Sequence, residues 1–336
     1  MELIPQIGAE NRLAATMASS KTRRESASRK SGSARNQAAA GSPPTQNSKH
    51  LISGLWLISA ALATIAAATL CTWIVLCLLF WQGSWQLLYH PAAAITRTPS
   101  TDGLQFEPVA FAVSDEGVPR LKGWWIPAPP NAAQNRYTVL YLHGASGNLS
   151  NSVDALARLH AIGVNVLAFD YRGYGQSQYD RPSEARWRQD AESALQYLIA
   201  TRHVDSGSIV LDGERLGANL ALEVAASHPD LAGVVAQSPI ASPMDAVFLD
   251  ARARLVPARL LVRDRFDAAA AAKELRTPVL WFEWNEQNQR TGFNDEPGAY
   301  KTITSQKTLV WLNPQYNGTK DLEDALSRFL DELPHR

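Results

Sequence analysis

The residue that decides the chemistry of this chain is an arginine set between two glycines, in Gly213-Glu214-Arg215-Leu216-Gly217-Ala218. A short apolar run, Ile209–Leu211, precedes it and a helical pattern, Leu216–Ser227, follows it. The arginine therefore stands at a strand-to-helix turn, where the glycines admit tight backbone geometry. A guanidinium keeps its proton at any working pH and cannot attack a carbonyl. At the opening of a helix it can join free backbone N–H groups in holding a carboxylate or phosphate. The competing reading is that Arg215 pairs with Glu214 or Glu286 and plugs the turn, since an unpaired buried arginine is costly.

Other reactive side chains give less. Both cysteines, Cys71 and Cys77, fall in an uncharged apolar run, which leaves no thiol nucleophile, disulfide framework or zinc site in the rest of the chain. No metal-ligand cluster and no phosphate-binding glycine loop appears, and no cofactor is expected. Ser146 and Ser238 are the serines kept as alternative nucleophiles. Among the histidines, His143 follows a strand, His228-Pro229 reads as a helix end, and His160 and His203 lie on elements unsuited to catalysis. After His228 only His335 remains, beside the C-terminus, and it reaches a site only if the tail folds back.

The elements that must position these groups repeat regularly from about residue 105. Apolar runs at Val109–Val113, Leu121–Ile126, Val139–Leu142, Val164–Phe169, Ile209–Leu211, Val234–Ala236, Val279–Phe282 and Leu309–Leu312 predict eight strands. Helical patterns at Val153–Ile162, Ser183–Thr201, Leu216–Ser227 and Asp321–Leu333 alternate with the later ones. Alternation of this kind predicts an α/β fold with a mostly parallel sheet and helices on both faces. Ser114-Asp115-Glu116-Gly117 between the first two runs predicts an antiparallel start. Residues 243–273 form an arginine- and alanine-rich helical insertion, expected to cap the site.

Ahead of this domain, residues 51–81 carry no charge and no histidine. The run exceeds the ~20 residues that span a bilayer and the ~7–15 of a cleaved signal core. It is read as an uncleaved transmembrane anchor, with Trp73, Trp81, Trp85 and Tyr89 near the interface. Residues 1–50 are basic and rich in Ser, Ala and Gln, and are read as a disordered tail. Their positive charge places the tail in the cytoplasm and the domain of residues 85–336 outside, in the periplasm if the cell is Gram-negative. Net charge is zero, so nothing points to nucleic acid.

Several segments, in order, resemble one family. They are Leu88-Tyr89-His90-Pro91, Gly123-Trp124-Trp125-Ile126-Pro127, Tyr141-Leu142-His143-Gly144 and Phe169-Asp170-Tyr171-Arg172-Gly173-Tyr174-Gly175-Gln176-Ser177. Together they resemble the membrane-anchored serine hydrolases of the α/β-hydrolase superfamily, near the acylglycerol and lysophospholipid lipases. The resemblance implies a Gly-x-Ser-x-Gly nucleophile elbow, an acid after the seventh strand and a histidine after the eighth. Arg215 holds the nucleophile position, and a one-residue slip would set Glu214 between the bulky Asp212 and Leu216. Gln287 holds the acid position, with Glu283, Glu286 and Asp295 nearby and Asp245 after the sixth strand. Tyr316 or Asn317 falls at the histidine position. All three triad positions thus read as substituted, which predicts a pseudo-hydrolase. The oxyanion hole uses backbone N–H groups, so the donors implied at Leu216 and at Ala145, after Gly144, outlast these changes.

Three functions remain in view: binding of a lipid-like or anionic ligand or a protein partner beside the membrane, ester or lipid hydrolysis through displaced residues, and a structural module with a filled pocket. The Asp170–Arg172 turn is read as structural, its charges pairing. Trp124, Trp125, Trp281 and Trp284 are read as core rather than as an acyl pocket. Arg252, Arg254, Arg259, Arg263 and Arg265 either meet anionic headgroups or form a solvated face.

Overall fold

A computed structural model describes residues 53–114, 116–284, 296–312 and 318–334. Eight strands form one sheet: β1 Glu107–Val113, β2 Pro119–Ile126, β3 Thr138–Leu142, β4 Asn165–Asp170, β5 Ile209–Glu214, β6 Gly233–Gln237, β7 Val279–Trp284 and β8 Lys307–Leu312. Their order is β8-β7-β6-β5-β3-β4-β2-β1. Only β1 with β2 and β2 with β4 run antiparallel. Every predicted strand is present within a few residues, and the hairpin start is where the turn residues put it.

The helices are α1 Gly54–Gly83, α2 Val153–Ile162, α3 Glu184–Gln196, α4 Leu216–Ser227, α5 Pro243–Phe248, α6 Ala258–Leu261, α7 Ala268–Glu274, α8 Gly298–Thr302 and α9 Gly318–Glu332. Strands β3 and β6 are buried along nearly their whole length, because a parallel sheet covered on both faces has no wet side. One core face gathers Leu140, Leu211, Trp187 and Leu220; the other gathers Val139, Val166, Leu156 and Phe329. Trp124 and Trp281 are buried in these cores and Trp125 packs against one.

By its contacts the chain divides between Leu57 and Ile58. Among the described residues the first unit holds only the opening of α1. Residues Gly54–Leu87 are helical and apolar enough, by length and composition, to cross a membrane. Near its C-terminal end α1 buries Phe80 and packs Leu76 and Cys77 against the core of the second unit.

Two polar contacts fix the segment between β6 and β7. Asn219, buried in α4, donates to the carbonyls of Ile240 and Phe266 and accepts from the Ile240 N–H at 2.8 Å. Tyr89, just after α1, donates from its hydroxyl to Asp264 at 2.9 Å. α7 packs on α4 through the buried Ala268, Ala271 and Ala272.

Candidate functional site

The turn from β5 into α4 is a sharp elbow with Arg215 at its apex, at φ 52° and ψ −114°. That region is one an L-residue rarely adopts. The flanking glycines make it possible. A Cβ on Gly217 would overlap the carbonyl oxygens of Leu142 and His143, and one on Gly213 would overlap the carbonyl of Gly217. The arginine's own N–H is bound to the Gln237 carbonyl at 2.8 Å, which leaves its side chain as the variable part of the turn.

Arg215 is exposed, and among the described residues its guanidinium has no ion-pair or hydrogen-bond partner. The pairing with Glu214 is not formed. Glu214 ends β5 and its carboxylate accepts instead from the buried Tyr141 hydroxyl at 3.0 Å. Glu286 lies outside the described residues, as do Gln287, Asp295, Tyr316, Asn317 and His335.

Opposite the elbow runs the loop from His143 to Asn148, held by its carbonyls. Tyr171 donates to the His143 carbonyl at 3.2 Å and Tyr174 to that of Ala145 at 2.9 Å. The His90 N–H also donates to the Ala145 carbonyl at 2.8 Å, and Asn148 donates to the carbonyls of Ala92 and Ala94. With these carbonyls occupied, the N–H groups of Ala145 and Leu216 meet no acceptor among the described residues. Gly144 brings the two walls together: a Cβ placed on it would stand 3.9 Å from the Arg215 Cβ.

The tyrosines that pin this loop come from the turn after β4, which explains its composition. Gly173 and Gly175 take φ of 90° and 50°, and a Cβ on Gly175 would overlap the Asp170 carboxylate. The charges of that turn do not pair with each other. Arg172 binds Asp190 at 2.6 Å, while Asp170 accepts from the Leu149 N–H at 2.9 Å and faces His143 Nε2 at 3.6 Å. The turn is structural, as read, but each charge finds its partner on another element.

Arg215, Leu216, Gly144 and Ala145 all line one cavity of about 300 Å³. Its polar wall adds His90, Ser146, Asn151, Ser152 and Glu214; its apolar wall is Leu87, Leu88, Ile240, Pro243 and Ala246. Ser146 therefore reaches the site. Ser238 does not: it takes φ 47° and its hydroxyl is buried without a partner. Asp245, exposed on α5, does not line the cavity either.

His90 is the cavity residue that sequence reasoning missed. A short parallel bridge sets His90 beside Ser146, although they lie far apart in the chain. Its motif was visible, but no periodicity links a segment following an apolar helix to the loop after β3.

Burial sets the protonation nearby. It lowers the His143 pKa to about 4, while Nδ1 donates to the Gly144 carbonyl at 2.7 Å. Burial likewise raises Asp170 to about 7 and Asp212, next to the elbow, to about 7. His143 is thus neutral at pH 7 and braces the loop as a packed aromatic against Tyr171 and Tyr174. Among the described residues no group of His, Cys, Asp and Glu could hold a metal ion.

Comparison with known proteins follows the same outline. The family model described as serine aminopeptidase, S33 matches residues 133–284. The uncharacterized protein Rv2307c of Mycobacterium tuberculosis is 30% identical over 259 residues, which are 75% of this chain and 89% of that protein. YfhR of Escherichia coli is 34% identical over 119 residues, 35% of this chain and 41% of that protein. Among solved structures, the Pyrococcus furiosus esterase Pf2001 superposes with a TM-score of 0.55 at 18% identity, covering 73% of this chain and 97% of its own. The α/β hydrolase GrgF from Penicillium sp. sh18 gives 0.52 at 16% identity, covering 68% and 99%. Identities this low show a shared fold, not a shared reaction. With the strand order, the glycine-flanked elbow and a relative matched over most of its length, the chain belongs to the α/β-hydrolase superfamily, beside the S33 serine aminopeptidase-like hydrolases.

Proposed function

We propose that this chain is a membrane-anchored pseudo-hydrolase that binds an amphiphile with an anionic head, rather than cleaving it. The observation that carries this reading is Arg215: a permanent cation at the elbow apex, unpartnered among the described residues and lining the same cavity as the free N–H groups of Leu216 and Ala145. Such donors stabilise an oxyanion in a working hydrolase. Beside a guanidinium they favour a resting carboxylate or phosphate instead. The apolar wall of Leu87, Leu88, Ile240 and Ala246 suits the start of an acyl chain. Substitution of the acid and histidine positions at Gln287 and Asn317 completes the reading on the basis of family resemblance.

Oleate and its neutral methyl ester distinguish charge recognition from greasy adsorption. Oleate should raise the unfolding midpoint of the full chain in detergent and methyl oleate should not; Arg215→Ala should erase the difference. Equal shifts by both probes would remove the anion site from the account.

A second reading rests on one specific feature. Ser146 and His90 are register partners on the wall of the same cavity, so a displaced serine could act with that imidazole as base. Turnover of p-nitrophenyl butyrate that disappears in both Ser146→Ala and His90→Gln would establish it.

The anchor reading rests on the length and apolarity of α1. Its orientation, with residues 1–50 cytoplasmic and the domain outside, rests on the basic N-terminal flank. A C-terminal alkaline phosphatase fusion should be active; an inactive fusion would reverse the topology.

A further inference from the structure

We infer that the segment Leu249–Arg265, between α5 and α7, inserts into the lipid surface beside α1 and opens the cavity toward the bilayer. This rests on the reading of α1 as a membrane span and adds to it a second point of membrane contact. Three features carry it.

The first is depth. Trp73 Nε1 on α1 donates to the Leu255 carbonyl at 3.0 Å. At a rise of about 1.5 Å per residue, Leu255 sits about 12 Å along the helix before Trp81. Between these two tryptophans the exposed face of α1 is apolar, with Ile74, Val75, Leu78 and Leu79 all open. A helix whose open face is greasy up to Trp81 carries the Leu255 loop below that level, into the lipid.

The second is the surface itself. Leu249, Leu255 and Leu260 are 88%, 62% and 81% exposed, although Ala253, Val256, Ala258 and Val262 of the same segment are buried. The segment has an inner face already packed and an outer face holding large aliphatic residues without cover. Largely exposed leucines continuous with an apolar helix have the form of an insertion element, which buries its apolar side among the acyl chains.

The third is charge. Arg252, Arg254, Arg259, Arg263 and Arg265 are all exposed around these leucines. The acidic residues of the segment are already engaged, Asp250 by Arg252 at 2.6 Å and Asp264 by Tyr89 at 2.9 Å. Arg265 donates to the Arg259 carbonyl, and the guanidiniums of Arg254, Arg259 and Arg263 remain to match phosphate headgroups at the rim of an inserted patch. Because α5 leads into this segment and also supplies Pro243 and Ala246 to the cavity wall, the insertion sets the apolar wall against the source of an amphiphilic ligand.

The test is depth-resolved fluorescence quenching on the full chain in vesicles of phosphatidylcholine and phosphatidylglycerol. With Cys71 and Cys77 replaced by alanine, single cysteines at Leu255→Cys, Leu260→Cys, Ala67→Cys and Val118→Cys carry an environment-sensitive dye. Lipids spin-labelled in the upper half of the acyl chain should quench the dye at 255 and 260 about twofold more than lipids labelled at the chain end, as expected for a loop about 12 Å below Trp81 and short of the midplane. The dye at 67, inside α1, should be quenched best by the chain-end label, and the dye at 118, in the exposed β1–β2 turn, by neither. Quenching at 67 with none at 255 and 260 would overturn the insertion and leave the anchor standing. Absence of quenching at 67 as well would overturn both. The two loop positions serve as independent variants should one of them fail to fold.

Discussion

Replacing Arg215 by glycine should make the protein more stable while removing its cation. Arg215 sits at φ 52° and ψ −114°, where an L-residue is strained by about 1–3 kcal/mol. Glycine adopts that geometry freely but loses about 0.5–1 kcal/mol through the greater freedom of its unfolded chain. Arg215 is exposed and makes no ion pair or side-chain hydrogen bond among the described residues, so no favourable contact offsets the gain. The net expectation is a stabilisation of about 0–2.5 kcal/mol, centred near 1. For a domain of this size that is at most roughly 10 °C in the unfolding midpoint, centred near 3 °C. Arg215→Ala is the decisive control, because it removes the charge and keeps the strain, and its midpoint should stay within about 2 °C of the parent. Tryptophan-fluorescence melts in detergent read both variants. If Arg215→Gly melts at or below Arg215→Ala, the elbow is not strained and the argument for its geometry fails.

Three further outcomes follow from the same structure. Gly217→Ala places a methyl group on the backbone carbonyls of Leu142 and His143 and should destabilise by about 2 kcal/mol or more, whereas Gly144→Ala, whose Cβ meets nothing closer than 3.5 Å, should stay within about 0.5 kcal/mol; urea titrations compare them. Asp212 is buried with one oxygen held by Gln237 at 2.7 Å and the other unpartnered, and burial raises its pKa from 3.8 to about 7. The folded state therefore holds its proton longer than the unfolded chain does. The contribution is fully present below pH 3.8 and is lost as pH rises through 7, a swing of about 4 kcal/mol. Asp212→Asn should thus raise the midpoint more at pH 8 than at pH 5, since about 1.6 of the about 4 kcal/mol is already lost at pH 5 and the unpartnered amide N–H offsets about 1–3 kcal/mol at both; an effect that does not grow with pH would contradict the assignment. Asn219→Ala orphans the Ile240 N–H and the carbonyls it binds, and should destabilise by about 2–4 kcal/mol while speeding protease cleavage between β6 and β7.

The fold was legible because its signals are local. Alternating apolar runs and helical patterns report burial on a two-faced sheet, and each of the eight strands lies on its run. The elbow was legible for a steric reason: no residue with a Cβ can stand at position 213 or 217 without a clash, which fixes Arg215 at the apex. What the sequence hid is what long-range geometry decides. Nothing in Leu88-Tyr89-His90-Pro91 announces that His90 will lie against Ser146, or that Tyr171 and Tyr174 will hold the carbonyls of the facing loop. The partners of the charged groups were hidden for the same reason, since Glu214 turns to Tyr141 and Arg172 to Asp190, on other strands and helices.

The central claim is that this cavity holds a cation where acyl transfer needs an attacking oxygen. Treating the full chain with a fluorophosphonate probe, followed by peptide mass spectrometry, tests it most directly. No serine should be modified, in the native protein or in Arg215→Ala. Covalent phosphonylation of Ser146, or of any other serine on that wall, abolished by prior unfolding, would contradict it.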